Sequence, residues 1–415
     1  MKIFLKSATI LDNDSQFHQK QQDILIENGI IRQIGSNLSN ITADKVIENC
    51  FVSQGWADSS VSFGEPGYEE RETLENGMRV AAKSGFTQVM LNPCTLPITD
   101  TKSQITYLKH FTQNTVNELF PIGALTVNSQ GDYLAELYDM AQGGAVAFGD
   151  YKKSLNNANL LKIALQYVQP FDGIIISFAN EKSIAGKGVV NEHITSTKLG
   201  LKGIPTLAEE VIVARDLAIL EYTGGKLHIP TISSAKSLEI IKEAKQKGLD
   251  VTCSVAIHNL HFSDDVLVDF NTNYKVLPPL RDKIHIEALW NSINEGIIDF
   301  VTSDHYPLDI ECKAKEFDLA DFGTIGLETA FGILIQHTSI EKAVKLLTGA
   351  KKRFSLPSST IEIGNKANLT LFSPKGEYIL SEKNITSSSK NCAFLGEKIK
   401  GSIIGIITEK GFLFN

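Results

Sequence analysis

Between residues 86 and 302 short β runs and helical stretches take turns along the chain, and that alternation sets the fold class. Phe86–Leu91 is a β run, and residues 102–113 follow with helical spacing. Residues 144–148 precede a helical stretch at 155–167, and residues 173–176 precede one at 207–222, which carries helical periodicity with apolar residues at Val211, Ala214, Ala218 and Leu220. Lys226–Ile229 precedes an amphipathic stretch at 237–247 that Gly248 stops. Residues 250–253, 284–294 and 298–302 continue the pattern. Strand–helix units repeated in this way predict a parallel sheet closed as a (β/α)8 TIM barrel.

Both ends of the chain lack the helical half of the pattern. Asn28-Gly29 lies between two apolar runs, a strong hairpin signal. Residues 367–372 and 403–407 read as strands, and Gly411 sits in a second hairpin signal. The reading is therefore an α/β chain with two domains. Residues 1–53 and 351–415 are expected to form one composite β-sandwich, and residues 54–350 the barrel. The chain would leave the small domain and return to it.

Composition narrows the function classes. A net charge of −8 over 415 residues gives no electrostatic case for nucleic acid or an anionic membrane. The five cysteines (Cys50, Cys94, Cys253, Cys312, Cys392) are scattered with no Cys-X-X-Cys pair, so neither a disulfide framework nor a cysteine zinc site is indicated. A reducing cytoplasm fits such usage. The first residues are interrupted by Lys2 and Lys6 and do not read as a signal peptide. No apolar run approaches the ~18 residues of a membrane span.

Several separated motifs carry a more specific message. They include Glu65-Pro66-Gly67-Tyr68-Glu69, Phe148-Gly149-Asp150, Ala208-Glu209-Glu210, Leu277-Pro278-Pro279-Leu280-Arg281, Ser303-Asp304-His305-Tyr306-Pro307 and Gly326-Leu327-Glu328-Thr329. Together they make a chain that resembles the dihydroorotase family, zinc amidohydrolases of pyrimidine synthesis, over nearly its whole length. The resemblance implies the amidohydrolase type of barrel, with one or two zinc ions at the C-terminal mouth that polarise the substrate amide and generate hydroxide.

The same resemblance locates what the chain lacks. The family's first-strand metal histidines fall on Ser60 and Ser62. Its fifth-strand histidine falls on Phe178, or on Ser177 after a one-residue shift, and its sixth-strand histidine on Thr231. The fourth-strand carboxylate falls on Asp150 or Tyr151. Asp304 keeps the eighth-strand position that serves the family as metal ligand and general acid/base, with His305 beside it. The family's substrate-binding positions fall on Gly64 (an arginine in the family), Cys94, Leu277 and Leu308. Hydroxyls are weak zinc ligands, and two carboxylates leave an under-coordinated site, so zinc is expected for the family and expected absent here.

Three functions follow as expectations. The first is a catalytically inactive dihydroorotase-like protein that acts as structural or regulatory partner of aspartate transcarbamoylase, in a homo- or hetero-oligomer. The second is an active dihydroorotase or other cyclic-amide hydrolase with a non-standard or metal-free site. The third is a small-molecule sensor that uses the relic pocket.

Overall fold

In the computed structural model, which describes residues 1–415, eight parallel strands lie side by side in chain order. They are Trp56–Val61, Phe86–Leu91, Glu118–Gly123, Ala147–Gly149, Ile174–Ile176, Lys226–Ile229, Val251–Ala256 and Phe300–Thr302. The sheet curls until its first and eighth strands meet. Val61 and His305 form a parallel bridge there, and the Ser62 N–H donates to the His305 carbonyl at 2.8 Å. Asp58 fastens the same seam by accepting from the Ser303 N–H at 2.7 Å, the Ser60 N–H at 2.9 Å and the Thr302 hydroxyl. This is the (β/α)8 barrel expected from the alternation.

Helices return the chain between strands, and their ends follow local chemistry. Leu74–Lys83 starts at Thr73, whose side chain accepts from the Asn76 N–H. Lys283–Glu295 starts at Asp282, which accepts from the Ile284 N–H, and stops at Gly296 with φ 76°. The helix read at 155–167 begins later, as Ala158–Tyr167, because Asn157 caps it by accepting from the Asn159 and Leu160 N–H groups. The third strand, Glu118–Gly123, is the one the alternation did not register. Pro121 interrupts its run, and proline lacks the donor that a central strand normally uses.

Strands from the two termini share one sheet. The N-terminal members are Lys2–Leu11, Gln21–Glu27, Ile30–Gly35, Lys45–Glu48 and Phe51–Gln54; the C-terminal members are Asn368–Ile379, Lys398–Thr408 and Gly411–Phe414. Phe51–Gln54 joins the two sets, parallel to Lys2–Leu11 and antiparallel to Asn368–Ile379. The hairpin turn at Asn28-Gly29 has φ of 49° and 71°, the left-handed region that Asn and Gly tolerate best. This sheet keeps its own core of Ile3, Leu5, Ile10, Ile24, Ile26, Val52, Leu369, Leu371 and Ile407. Trp56, fully buried, packs on Phe86, Phe331 and Phe372 and so ties the sheet to the barrel. Inside the barrel Met90, Phe120, Ile122, Ile174, Phe300 and Phe354 form a second packed core below the mouth.

Candidate functional site

Asp304 stands two residues beyond the eighth strand, fully buried, with its backbone in the left-handed region at φ 46°. Three side chains converge on its carboxylate. The Ser60 hydroxyl, from the first strand, donates to Oδ1 at 3.0 Å. The Tyr151 hydroxyl, from the loop after the fourth strand, donates to the same oxygen at 3.0 Å. Burial, and then the Asp304 charge, raise the Tyr151 pKa well above the usual phenol range, so the phenol keeps the proton it donates. The Lys152 ammonium lies 2.9 Å from Oδ2. That approach is off the hydrogen-bond direction, so it is an ion contact, and the ammonium has no other protein acceptor. The ring centroids of Tyr151 and Tyr306 lie 5.2 and 5.6 Å from the ammonium.

A second layer holds the first. Asn92, just past the second strand, donates to the Ser60 hydroxyl at 3.0 Å and to the Ser62 hydroxyl at 3.2 Å. The two serines are therefore hydrogen-bond links within the wall. The space left among Ser60, Asn92, Asp150, Tyr151, Lys152, Phe178, Thr231 and Asp304 is about 30 Å³, enough for one or two water molecules.

The positions singled out in the sequence sort into two sets. Ser60, Asp150, Tyr151, Phe178, Thr231 and Asp304 all line this cavity. Asp150 turns its carboxylate toward Thr126, accepting from that residue's N–H at 3.1 Å and from its hydroxyl. Phe178 contributes an apolar ring, and Thr231 a hydroxyl on a left-handed backbone at φ 51°. His305 faces elsewhere. Its Nδ1 accepts from the Gly326 N–H at 3.3 Å and its ring lies edge-on to Phe63. Burial pushes its pKa down to about 3, so it is a neutral member of the barrel seam.

The positions expected from the resemblance to meet substrate offer little polar chemistry. A Cβ on Gly64 would run into the Tyr68 carbonyl oxygen, so the backbone there excludes any side chain. Cys94 is half-buried, with its thiol pKa raised by burial. Leu277 packs beside Ala185, Ile204 and Ala208. Leu308 is buried and its N–H donates to Asn391 Oδ1 at 3.0 Å.

Sequence reasoning missed three side chains here. Lys152 and Asn92 lie close to named positions, but nothing in their spacing announced where they point. Arg71 rises beside Gly64 and stacks its guanidinium on the Tyr68 ring at 4.1 Å. One signal was present for Lys152: a buried aspartate without a metal needs a cation, and Lys152 is a basic residue directly after the fourth-strand motif.

The retained motifs are occupied with structure. Glu209 accepts from the Ser233 and Ser234 N–H groups and from the Ser233 hydroxyl. Arg281 donates to the Ser233 hydroxyl, to Asn191 Oδ1 at 2.9 Å and to the Ile204 carbonyl at 2.8 Å. His228 stacks on Phe300 and bonds Thr252 and Ser254, as a core histidine does.

These residues do not fit a zinc ion. Zinc takes about four nitrogen, sulfur or carboxylate ligands, and nowhere in the chain do three His, Cys, Asp or Glu side chains converge to hold a metal. At the mouth Asp304 is already contacted by two hydroxyls and an ammonium, and that ammonium would repel a second cation.

Comparison with known proteins agrees with this geometry at the level of fold and family. A family described as dihydro-orotase-like matches residues 51–237. Solved structures share the fold: an L-hydantoinase (dihydropyrimidinase) from Arthrobacter aurescens superposes with a TM-score of 0.86 at 21% identity, covering 100% of this chain and 96% of that one. A D-hydantoinase (dihydropyrimidinase) from Thermus sp. gives 0.82 at 21% identity, over 99% of this chain and 94% of that one. The dihydroorotase of Pelotomaculum thermopropionicum is 36% identical over 97% of this chain and 96% of its own. That of Syntrophus aciditrophicus is 35% identical over 97% of each. With identity at this level sustained along the whole barrel and both terminal strand sets, the chain belongs to the dihydroorotase family.

Proposed function

We propose that this chain is a non-catalytic member of the dihydroorotase family, serving pyrimidine synthesis as a structural partner of aspartate transcarbamoylase. The observation that carries the reading is the state of Asp304. The one family acid/base group that remains has both carboxylate oxygens engaged by Ser60, Tyr151 and Lys152. General acid/base work needs a carboxylate within reach of substrate. Here about 30 Å³ separates it from the surrounding wall, far below the ~300 Å³ at which small-molecule pockets begin. The same figure weighs against a sensor that uses this cavity.

The hydrolase reading makes the opposite forecast, so one preparation tests both. Purified chain is expected to hydrolyse dihydroorotate no faster than the buffer does, and to retain well under one zinc per chain after dialysis. Asp304→Ala should change neither. A measurable rate that disappears in Asp304→Ala, or about one tightly held zinc, would transfer the argument to an active amidohydrolase.

A further inference from the structure

We propose that Lys152 is a built-in cation that takes the place of a metal at the barrel mouth, balancing the Asp304 carboxylate and closing the fourth-strand loop over it. The proposal rests on the non-catalytic reading of the mouth. Its own support is geometric. Asp304 has a side chain 1% exposed and Lys152 one 11% exposed, with 2.9 Å between the charges. A carboxylate taken out of water to that degree is strongly destabilising unless a cation accompanies it. No other cation lies within ion-pair distance of Asp304.

The loop is shaped for the contact. Tyr151 and Lys152 are neighbours in sequence, and neighbours on an extended strand point to opposite faces. The left-handed turn at Lys152, φ 54°, allows both to reach Asp304, one at each oxygen. An aliphatic β-carbon makes that turn costly, so the ion contact must offset it. The ammonium also lies within about 6 Å of two tyrosine rings, which pack edge-on against each other. A single residue of this chain thus neutralises the aspartate and fixes the loop, two jobs that a multidentate metal performs by joining strands.

The test is a double-mutant cycle on the full chain: Lys152→Met, Asp304→Asn and the two combined, followed by thermal unfolding. Lys152→Met should lower Tm by about 5 °C or more, since it strands a buried charge. The double variant should melt within about 2 °C of Asp304→Asn alone, because the lysine has no partner left to lose. Should Lys152→Met fail to fold alone, folding of the double variant supports the proposal. Zinc chloride should leave the wild-type Tm in place. Additive losses, a Lys152→Met variant as stable as wild type, a double variant that also fails to fold, or a zinc-raised wild-type Tm would each overturn it. Additive losses in a chain that neither hydrolyses dihydroorotate nor retains zinc would remove the counter-ion role and leave the non-catalytic reading standing. A non-additive cycle in a chain whose hydrolysis depends on Asp304 would do the reverse.

Discussion

Two buried lysines in this chain meet opposite fates. Lys152 finds a carboxylate at 2.9 Å, whereas Lys351 is 5% exposed, has no hydrogen-bond partner for its ammonium, and has Asp12 as the charge that offsets part of its burial. Burial therefore pushes the Lys351 pKa down from 10.5 to about 7, with Asp12 recovering part of the shift. The sign of the consequence is fixed by proton binding. Between pH 7 and pH 10.5 the unfolded chain holds a proton on this lysine that the folded chain has released, so stability rises with pH across that window. Below pH 7 both states are charged and the full burial penalty applies. Lys351→Met should stabilise the protein by on the order of 3 kcal/mol at pH 6 and progressively less as pH climbs. Urea unfolding at pH 6, 8 and 9.5 measures this; parallel pH slopes in the two proteins would show that the ammonium is better solvated than its burial implies.

At the scale of elements, the turn leaving the first barrel strand leaves no space for a side chain at residue 64. Gly64 packs its backbone against the Tyr68 carbonyl with no room for a Cβ. Gly64→Ala should cost about 1–3 kcal/mol by overpacking, visible as a lower urea midpoint with an unchanged slope. A chain carrying Ser60→His, Ser62→His and Gly64→Arg together should accordingly gain no dihydroorotate hydrolysis. Wild-type stability in Gly64→Ala would mean that the turn can shift. Most of the elements were legible in the sequence, because a strand–helix alternation is a local pattern and Asn28-Gly29, Asp282 and Gly296 mark their own turns and caps. The third strand was hidden by Pro121, which breaks the local β signal. The expected ligand positions rest on the resemblance and on the motifs beside them. What surrounds Asp304 was not legible. The convergence of Ser60, Asn92, Tyr151, Lys152 and Asp304 joins four strand ends, and only the closed barrel brings them together.

Over the whole molecule, the scaffold is fastened at several separate points. Glu209 and Arg281 still knit the loops behind the mouth, Asp58 still closes the barrel, and Trp56 still locks the terminal sheet to it. If the barrel mouth is non-catalytic, as proposed, the retained scaffold is best explained by a use for its surface. Two regions carry exposed apolar side chains suited to a partner. The rim presents Leu96, Ile310 and Leu319 on the loops after the second and eighth strands, and the terminal sheet presents Ile379 and Phe412. Mixed with aspartate transcarbamoylase at micromolar concentration, the chain should co-elute with it in size-exclusion chromatography, through an interface on the order of 1,600 Å² or more. Charge placed on the contact identifies it. Leu96→Asp with Ile310→Asp should abolish co-elution if the rim binds, and Ile379→Asp with Phe412→Asp if the sheet does. Either pair should leave the Tm nearly unchanged, because exposed positions contribute little to folding. Independent elution of the wild-type proteins, with a transcarbamoylase fully active alone, would remove the structural-partner role while leaving the fold and the filled barrel mouth as they are.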